Sequence, residues 1–353
     1  MIKVLGLALY GPLAASTRYR LGQYVSGLSR LGIDLEIYHL LDDNYLRRLF
    51  SRKSIKYGSI FHSCLLRFSD LLRQHEYDLV MVYCELFPLM PGWVERTLLS
   101  RPYIYDYDDA FYLKYRAGKM RMARPLLGRK FESLITGASA VTAGNKVLVE
   151  YATKYNNNTI LLPTVVDTDR YMPKNIALKD KVFTVGWIGS PSTAPYLTEL
   201  IEPLSTIGKE GHVQFIVIGG KAPIVPHVTV IEIDWNEKTE VELINSFDVG
   251  VMPMPDNDWT RGKCAFKLIQ YMACGVPVIA SPVGANIDVI NEKYGLFACT
   301  PREWEKNLRL LRDQPIERLE IGLSCRQRIV NNYSLQLNLP ILSSVIRNVI
   351  AKN

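Results

Sequence analysis

Short runs of consecutive apolar residues recur along the chain, and between them the apolar positions repeat every three to four residues. Runs of the first kind predict buried strands, and the repeating stretches predict amphipathic helices. One series of runs falls at residues 2–9, 33–39, 79–84, 103–107, 140–143 and 160–162, and a second at 183–188, 214–218, 228–233, 249–252 and 276–281. Strands that are apolar throughout and separated by helices imply parallel sheets covered on both faces. Two such series predict two doubly wound α/β domains, residues 1–175 and 176–334. The stretch 169–180 between them has little apolar content and holds Pro173, Lys174 and Asn175. The final residues, 335–353, read as helix after a break at Leu339-Pro340. In open sheets of this kind ligands sit outside the carboxyl ends of the strands, so the loops that follow the strands are where chemistry is expected.

Composition narrows the class. The chain has 353 residues, 48% apolar and 22% charged, which suits two globular cores and excludes a disordered chain. Six cysteines are scattered without a C-x-x-C pair, which argues against a zinc site or a disulfide framework and suits a reducing compartment. No apolar run reaches the ~18–20 residues needed to span a bilayer. The opening ten residues read as a first strand rather than a signal peptide, so a cytoplasmic protein is expected. Charge is uneven: residues 1–175 carry 24 Lys+Arg against 16 Asp+Glu, a net +8, and the rest of the chain is at −1. An anionic partner is therefore expected for the first half. The segments 45–56 and 114–130 interleave basic and apolar residues, a pattern that suits peripheral contact with anionic membrane or a solvated cationic face. No nucleic-acid-binding signature accompanies the charge, and no G-x-G-x-x-G for NAD follows the first strand.

The most informative segment runs from Lys263 to Gly284. It reads as a loop, a short helix stopped by Gly275 and Pro277, and a buried strand. Lys263, Lys267 and Gln270 are spaced i, i+4, i+7 and are expected on one helical stripe. That stripe begins at a helix N-terminus, where free N–H groups and the dipole favour an anion. The run from Tyr271 to Ala280, Tyr-Met-Ala-Cys-Gly-Val-Pro-Val-Ile-Ala, resembles the donor-binding signature of family-4 retaining glycosyltransferases of the GT-B fold. Two glutamates of that signature are absent: Gly262 and Gln270 stand in their places.

The resemblance implies two Rossmann-like domains facing across a cleft, with the last helix, 335–353, crossing back to the first. It implies a nucleotide-diphosphate sugar on the second domain, with no metal or other cofactor. The acceptor, a saccharide or a lipid-linked saccharide for surface polysaccharide, is expected on the first. Lys263 and Lys267 would stabilise the leaving diphosphate, with the N–H groups of Cys264, Ala265 and Phe266. Gln270 would bond the ribose, Trp235 would stack on the base or pack, and the loop Gly189, Ser190, Ser192, Thr193 would contact the donor. In the first domain, the loop from Gly11 to Arg20 follows the first strand. Ser16 or Thr17 would cap a helix there, with Gly11, Arg18 and Arg20 near the phosphate or acceptor. The acidic cluster Asp106, Asp108, Asp109 ends another strand; Asp106 and Asp109 are expected to meet sugar or acceptor, an Asx-rich turn or a metal pair being the alternatives. A nucleotide-sugar epimerase, or a GT-B module that binds without turnover, are the rival functions.

Overall fold

A computed structural model describes residues 1–51, 53–54, 57–116, 122–174, 182–291 and 293–352, the side chain of Tyr57 excepted. Parts of the expected linker, 175–180, and of both basic segments, 52, 55–56 and 117–121, lie outside the described residues. The chain forms two compact units. The first comprises Met1–Thr164, Gly262–Cys264 and Leu335–Asn353, and the second comprises Val165–Arg261 and Ala265–Ser334.

The first unit holds β1 (Ile2–Tyr10), β2 (Ile33–Leu41), β3 (Leu79–Tyr83), β4 (Tyr103–Tyr107), β5 (Ala140–Ala143) and β6 (Thr159–Leu161). They form one sheet in the order β2-β1-β3-β4-β5-β6, every pair parallel. β3 and β4 are buried along their whole length; β3 is apolar but for its terminal Tyr83 hydroxyl, and β4 carries one acid, Asp106. The direction of winding reverses between β1 and β3, so the carboxyl ends of these strands open a topological switch point.

The second unit holds β7 (Phe183–Ile188), β8 (Val213–Ile218), β9 (Thr229–Ile233), β10 (Val249–Met252), β11 (Val278–Ala280) and β12 (Leu296–Phe297). Their order is β12-β11-β10-β7-β8-β9, again all parallel, with the switch point between β7 and β10. β12, two residues long, gave no apolar run of its own. Helix ends follow local chemistry: Thr300 and Glu303 form a reciprocal capping box with Pro301 at the first helical position.

One predicted break is absent. The helix Leu335–Lys352 runs through Pro340. Proline there forgoes one backbone bond near the start of the helix, and burial of Leu342, Val345, Ile346 and Val349 outweighs it. The helix packs close: a methyl group added to Gly27 would lie 3.0 Å from Cδ1 of Leu339.

Candidate active site

The loop after β1 folds on itself. The Leu13 N–H donates to Asp43 Oδ1 at 2.9 Å, and a Cβ on Gly11 would lie 2.5 Å from that oxygen. Glycine therefore admits the Asp43 carboxylate, the position where a phosphate was expected. Arg18 donates to the carbonyls of Pro12 and Leu13 at 2.7 and 2.8 Å. The helix Ala15–Arg20 starts one residue ahead of Ser16 and has no side-chain cap. Thr17 instead donates to the Tyr10 carbonyl at 2.8 Å, and Ser16 hydrogen-bonds Tyr83. The two arginines thus fall in the last turn of this short helix, where the dipole favours cations.

Arg20 and Asp106 are not exposed ligands. Both side chains are 1% exposed and face one another in a two-pronged pair, Nε to Oδ2 at 2.9 Å and Nη2 to Oδ1 at 2.5 Å. Arg20 Nη1 also donates to the Leu162 carbonyl at 2.6 Å, and Thr142 donates to Asp106 Oδ1 at 2.5 Å. Burial pushes the Arg20 guanidinium toward neutrality, and the Asp106 charge and hydrogen bonds outweigh it and raise its pKa. The pair ties β4 to β5, β6 and the first helix, which corrects the expected acceptor contact for both residues. It also removes Asp106 from any Asp106-x-Asp108 metal pair. Among the described residues no group of three His, Cys, Asp or Glu side chains is placed to hold a metal ion.

The remaining two acids gather the loop Gly262–Cys264. Lys263 Nζ lies 3.4 Å from Asp109 Oδ1, both half-buried. The Cys264 thiol donates to the Asp108 carbonyl at 2.9 Å, and Asn145 Nδ2 donates to the carbonyls of Gly262 and Lys263 at 2.7 and 3.1 Å. Asn145 also caps the helix Lys146–Thr153 through its side-chain oxygen. Tyr83 donates to Asp108 Oδ1 at 2.5 Å. Burial, then repulsion from Asp109, pushes the Asp108 carboxyl up to about 6. The sequence reading placed Asp108 in the acidic cluster without a role and did not single out Asn145, whose partner Gly262 lies 117 residues away in the chain. Gly262 explains one missing glutamate, because a Cβ there would lie 2.5 Å from the Cβ of Ala110.

In the second unit the helix Phe266–Ala273 begins after Ala265, whose φ of +53° breaks it from the preceding loop. Lys263 therefore does not share the helical stripe, and Lys267 and Gln270 do. Ala265 is buried, Phe266 is half-buried, and no side chain caps the helix. Tyr271 fixes this helix to β7 by accepting the Ile188 N–H at 2.8 Å. Gly275, at φ +69°, ends it as predicted.

Lys267 lies at the switch point between β7 and β10. Its Nζ is 5.4 Å from the centroid of the Trp187 ring. Gly189 follows β7, and a Cβ on it would lie 2.7 Å from Lys267 Cε. Behind it, a Cβ on Gly219, φ +75°, would meet the Gly189 carbonyl at 2.5 Å. The hydroxyls of Ser190 and Ser192 are 2.8 Å apart, and Thr193 donates to the Ser190 carbonyl at 3.2 Å. Gln270 is 4% exposed and donates to the Tyr171 hydroxyl at 3.0 Å. Tyr171 and Trp235 both donate to the buried Glu240, the indole at 2.6 Å. The Gln270 amide nitrogen expected on a ribose is thus committed to this network, and Trp235 is held by its nitrogen edge.

Comparison with known proteins fits this geometry. Solved structures similar over the whole chain include sucrose-phosphate synthase from Thermosynechococcus elongatus, at 13% identity, full coverage of both chains and a TM-score of 0.71. HepE of Anabaena in complex with UDP-glucose aligns at 14% identity over 99% of this chain and 100% of its own, TM-score 0.68. WaaG, a glycosyltransferase involved in lipopolysaccharide biosynthesis, aligns at 15% identity over 98% and 99%, TM-score 0.67. No curated protein matches the sequence. The fold is the GT-B fold, two parallel six-stranded sheets with flanking helices. Residues 179–313, which take in most of the second unit, match the family model Glycosyl transferases group 1. The stretch 179–313 is thus similar to a glycosyltransferase domain of that group.

Proposed function

We propose that the protein is a retaining glycosyltransferase that takes its sugar from a nucleotide-diphosphate sugar. The observation that carries this reading is the Lys267 amine at the β7/β10 switch point, beside the Gly189 loop and at the first turn of an uncapped helix. Glycosyl transfer from such a donor builds negative charge on the leaving diphosphate. A preorganised amine and helix N–H groups stabilise that charge as it develops. Lys267 and the helix N-terminus take this role in place of a metal. Gly189, Ser190, Ser192 and Thr193 line the donor side, and Trp235, oriented by Glu240, receives the base. HepE binds UDP-glucose, which supports a nucleotide-sugar of this kind. No protein nucleophile is assigned, and the acceptor attacks from the face that the diphosphate leaves.

The acceptor is a saccharide or lipid-linked saccharide of surface polysaccharide synthesis, met at the cytoplasmic face of an anionic membrane. The basic excess of residues 1–175 supports this. Segment 114–130 contributes less than its composition suggests. Lys130 is buried between Glu85 and Glu95, Lys114 pairs with Glu85, and Arg116 and Arg129 pair with Glu132.

Incubation with a panel of nucleotide-sugars tests the reading. Donor hydrolysis or transfer, lost in Lys267→Ala, is the expected result. Inversion of the sugar without transfer marks an epimerase, and binding without turnover marks a module without catalysis. Either outcome overturns the proposal.

A further inference from the structure

Among the described residues, the helix Tyr57–Leu72 packs one face inward and leaves the other largely exposed. Leu71 and Arg67 point in; Arg67 donates to the Ala8 carbonyl at 2.7 Å. The outward face carries Phe61, Leu65, Leu66, Phe68 and Leu72, which are 67, 52, 54, 39 and 78% exposed. Phe61, Leu65, Phe68 and Leu72 recur at helical spacing and form one stripe. Among the described residues the other exposed positions of this helix are Gly58, Ser59, His62 and Ser69, and its one carboxylate, Asp70, is half-buried beside Arg67. Residues 44–69 contain six Lys+Arg and no Asp or Glu. Of these, Arg47 and Lys53 are exposed just ahead of the helix, and so are the apolar Leu49 and Phe50.

We propose that this face is a docking surface for an anionic phospholipid membrane, with the apolar stripe entering the headgroup–acyl boundary and the flanking cations meeting lipid phosphates. An apolar stripe joined to a stretch, residues 44–69, that carries cations and no acid attracts anionic lipid, whereas a second copy of the same face would bring like charges together. A protein ligand would have to supply the anions itself. The surface deepens the membrane side of the proposed function and is independent of the donor chemistry.

Co-sedimentation of the full chain with vesicles tests it without any substrate. Wild type is expected to bind vesicles of mixed phosphatidylcholine and phosphatidylglycerol, to ignore phosphatidylcholine alone, and to dissociate as salt rises. Phe61→Ser with Leu65→Ser is expected to weaken binding at least about tenfold, with unchanged thermal unfolding and donor hydrolysis in solution. Leu72→Ser serves as a milder variant, expected to weaken binding severalfold, should the double change disturb folding. Ile224→Ser with Ile316→Ser, exposed in the second unit, is expected to bind as wild type. Undiminished vesicle binding by the helix variants overturns the proposal. So does wild type that ignores anionic vesicles, or sedimentation equilibrium that finds a wild-type dimer which Phe61→Ser with Leu65→Ser dissociates. Loss of vesicle binding with donor turnover intact separates this surface from the transferase reading.

Discussion

Asp106→Ala distinguishes a structural pair from a ligand contact. In the fold this carboxylate accepts two bonds from Arg20 and one from Thr142, and both charged side chains are 1% exposed. Removing one partner leaves a guanidinium without its counter-ion in a site that water does not reach. Breaking a pair of this kind costs about 3–5 kcal/mol. With a urea dependence of roughly 2 kcal/mol per molar, the unfolding midpoint of the first unit should fall by about 2 M. The two units need not unfold together, so amide hydrogen exchange in β4 and β5 is followed beside the urea curve. Glu76→Ala is the control. Its pair with Arg73 is 43–44% exposed, so water and salt screen it and the midpoint should hardly move. Replacing both partners by apolar residues, Arg20→Met with Asp106→Leu, should recover much of the loss, because no charge is then stranded. If Asp106→Ala keeps the wild-type midpoint and exchange pattern and loses only turnover, the carboxylate serves a ligand and the structural account of the pair is wrong.

Other expectations are more compact. Lys267→Ala should lower donor turnover by about 10²-fold or more while unfolding hardly moves, since the contact with Trp187 is worth only ~0.5–1 kcal/mol; steady-state rates and a melting curve read both. Gly262→Glu, which restores a signature residue, should fail to raise turnover and should destabilise the first unit, because its Cβ meets Ala110 at 2.5 Å. Treatment with EDTA should leave turnover unchanged. Asp108 has its carboxyl raised to about 6, so its protonated form is the one the fold favours. Its contribution to stability is present below the ordinary carboxylate pKa and fades as pH rises through about 6. The stability difference between wild type and Asp108→Asn should therefore shift against wild type between about pH 4 and pH 6, and a flat difference in urea titrations would contradict it.

Periodicity alone was enough for the two doubly wound sheets, because a strand buried on both faces is nearly all apolar. β12 escaped because two residues carry no period. Chain-local chemistry also marked the stop at Gly275, where a left-handed turn suits glycine. Sequence spacing could not show that Ala265 turns left-handed, and that single φ takes Lys263 off the helix and into the company of Asp109 and Asn145. Nor does an acidic cluster announce which carboxylate is buried. Asp106 is consumed by Arg20, 86 residues away in the chain, while Asp108 and Asp109 surround the lysine loop. Gln270, Tyr171, Glu240 and Trp235 likewise meet only through the folded second unit. The chain's own pattern determined the elements and their parallel pairing, since those follow from local periods and turn residues. Tertiary structure alone decided which charged groups face each other, because burial and pairing depend on residues brought together from distant strands.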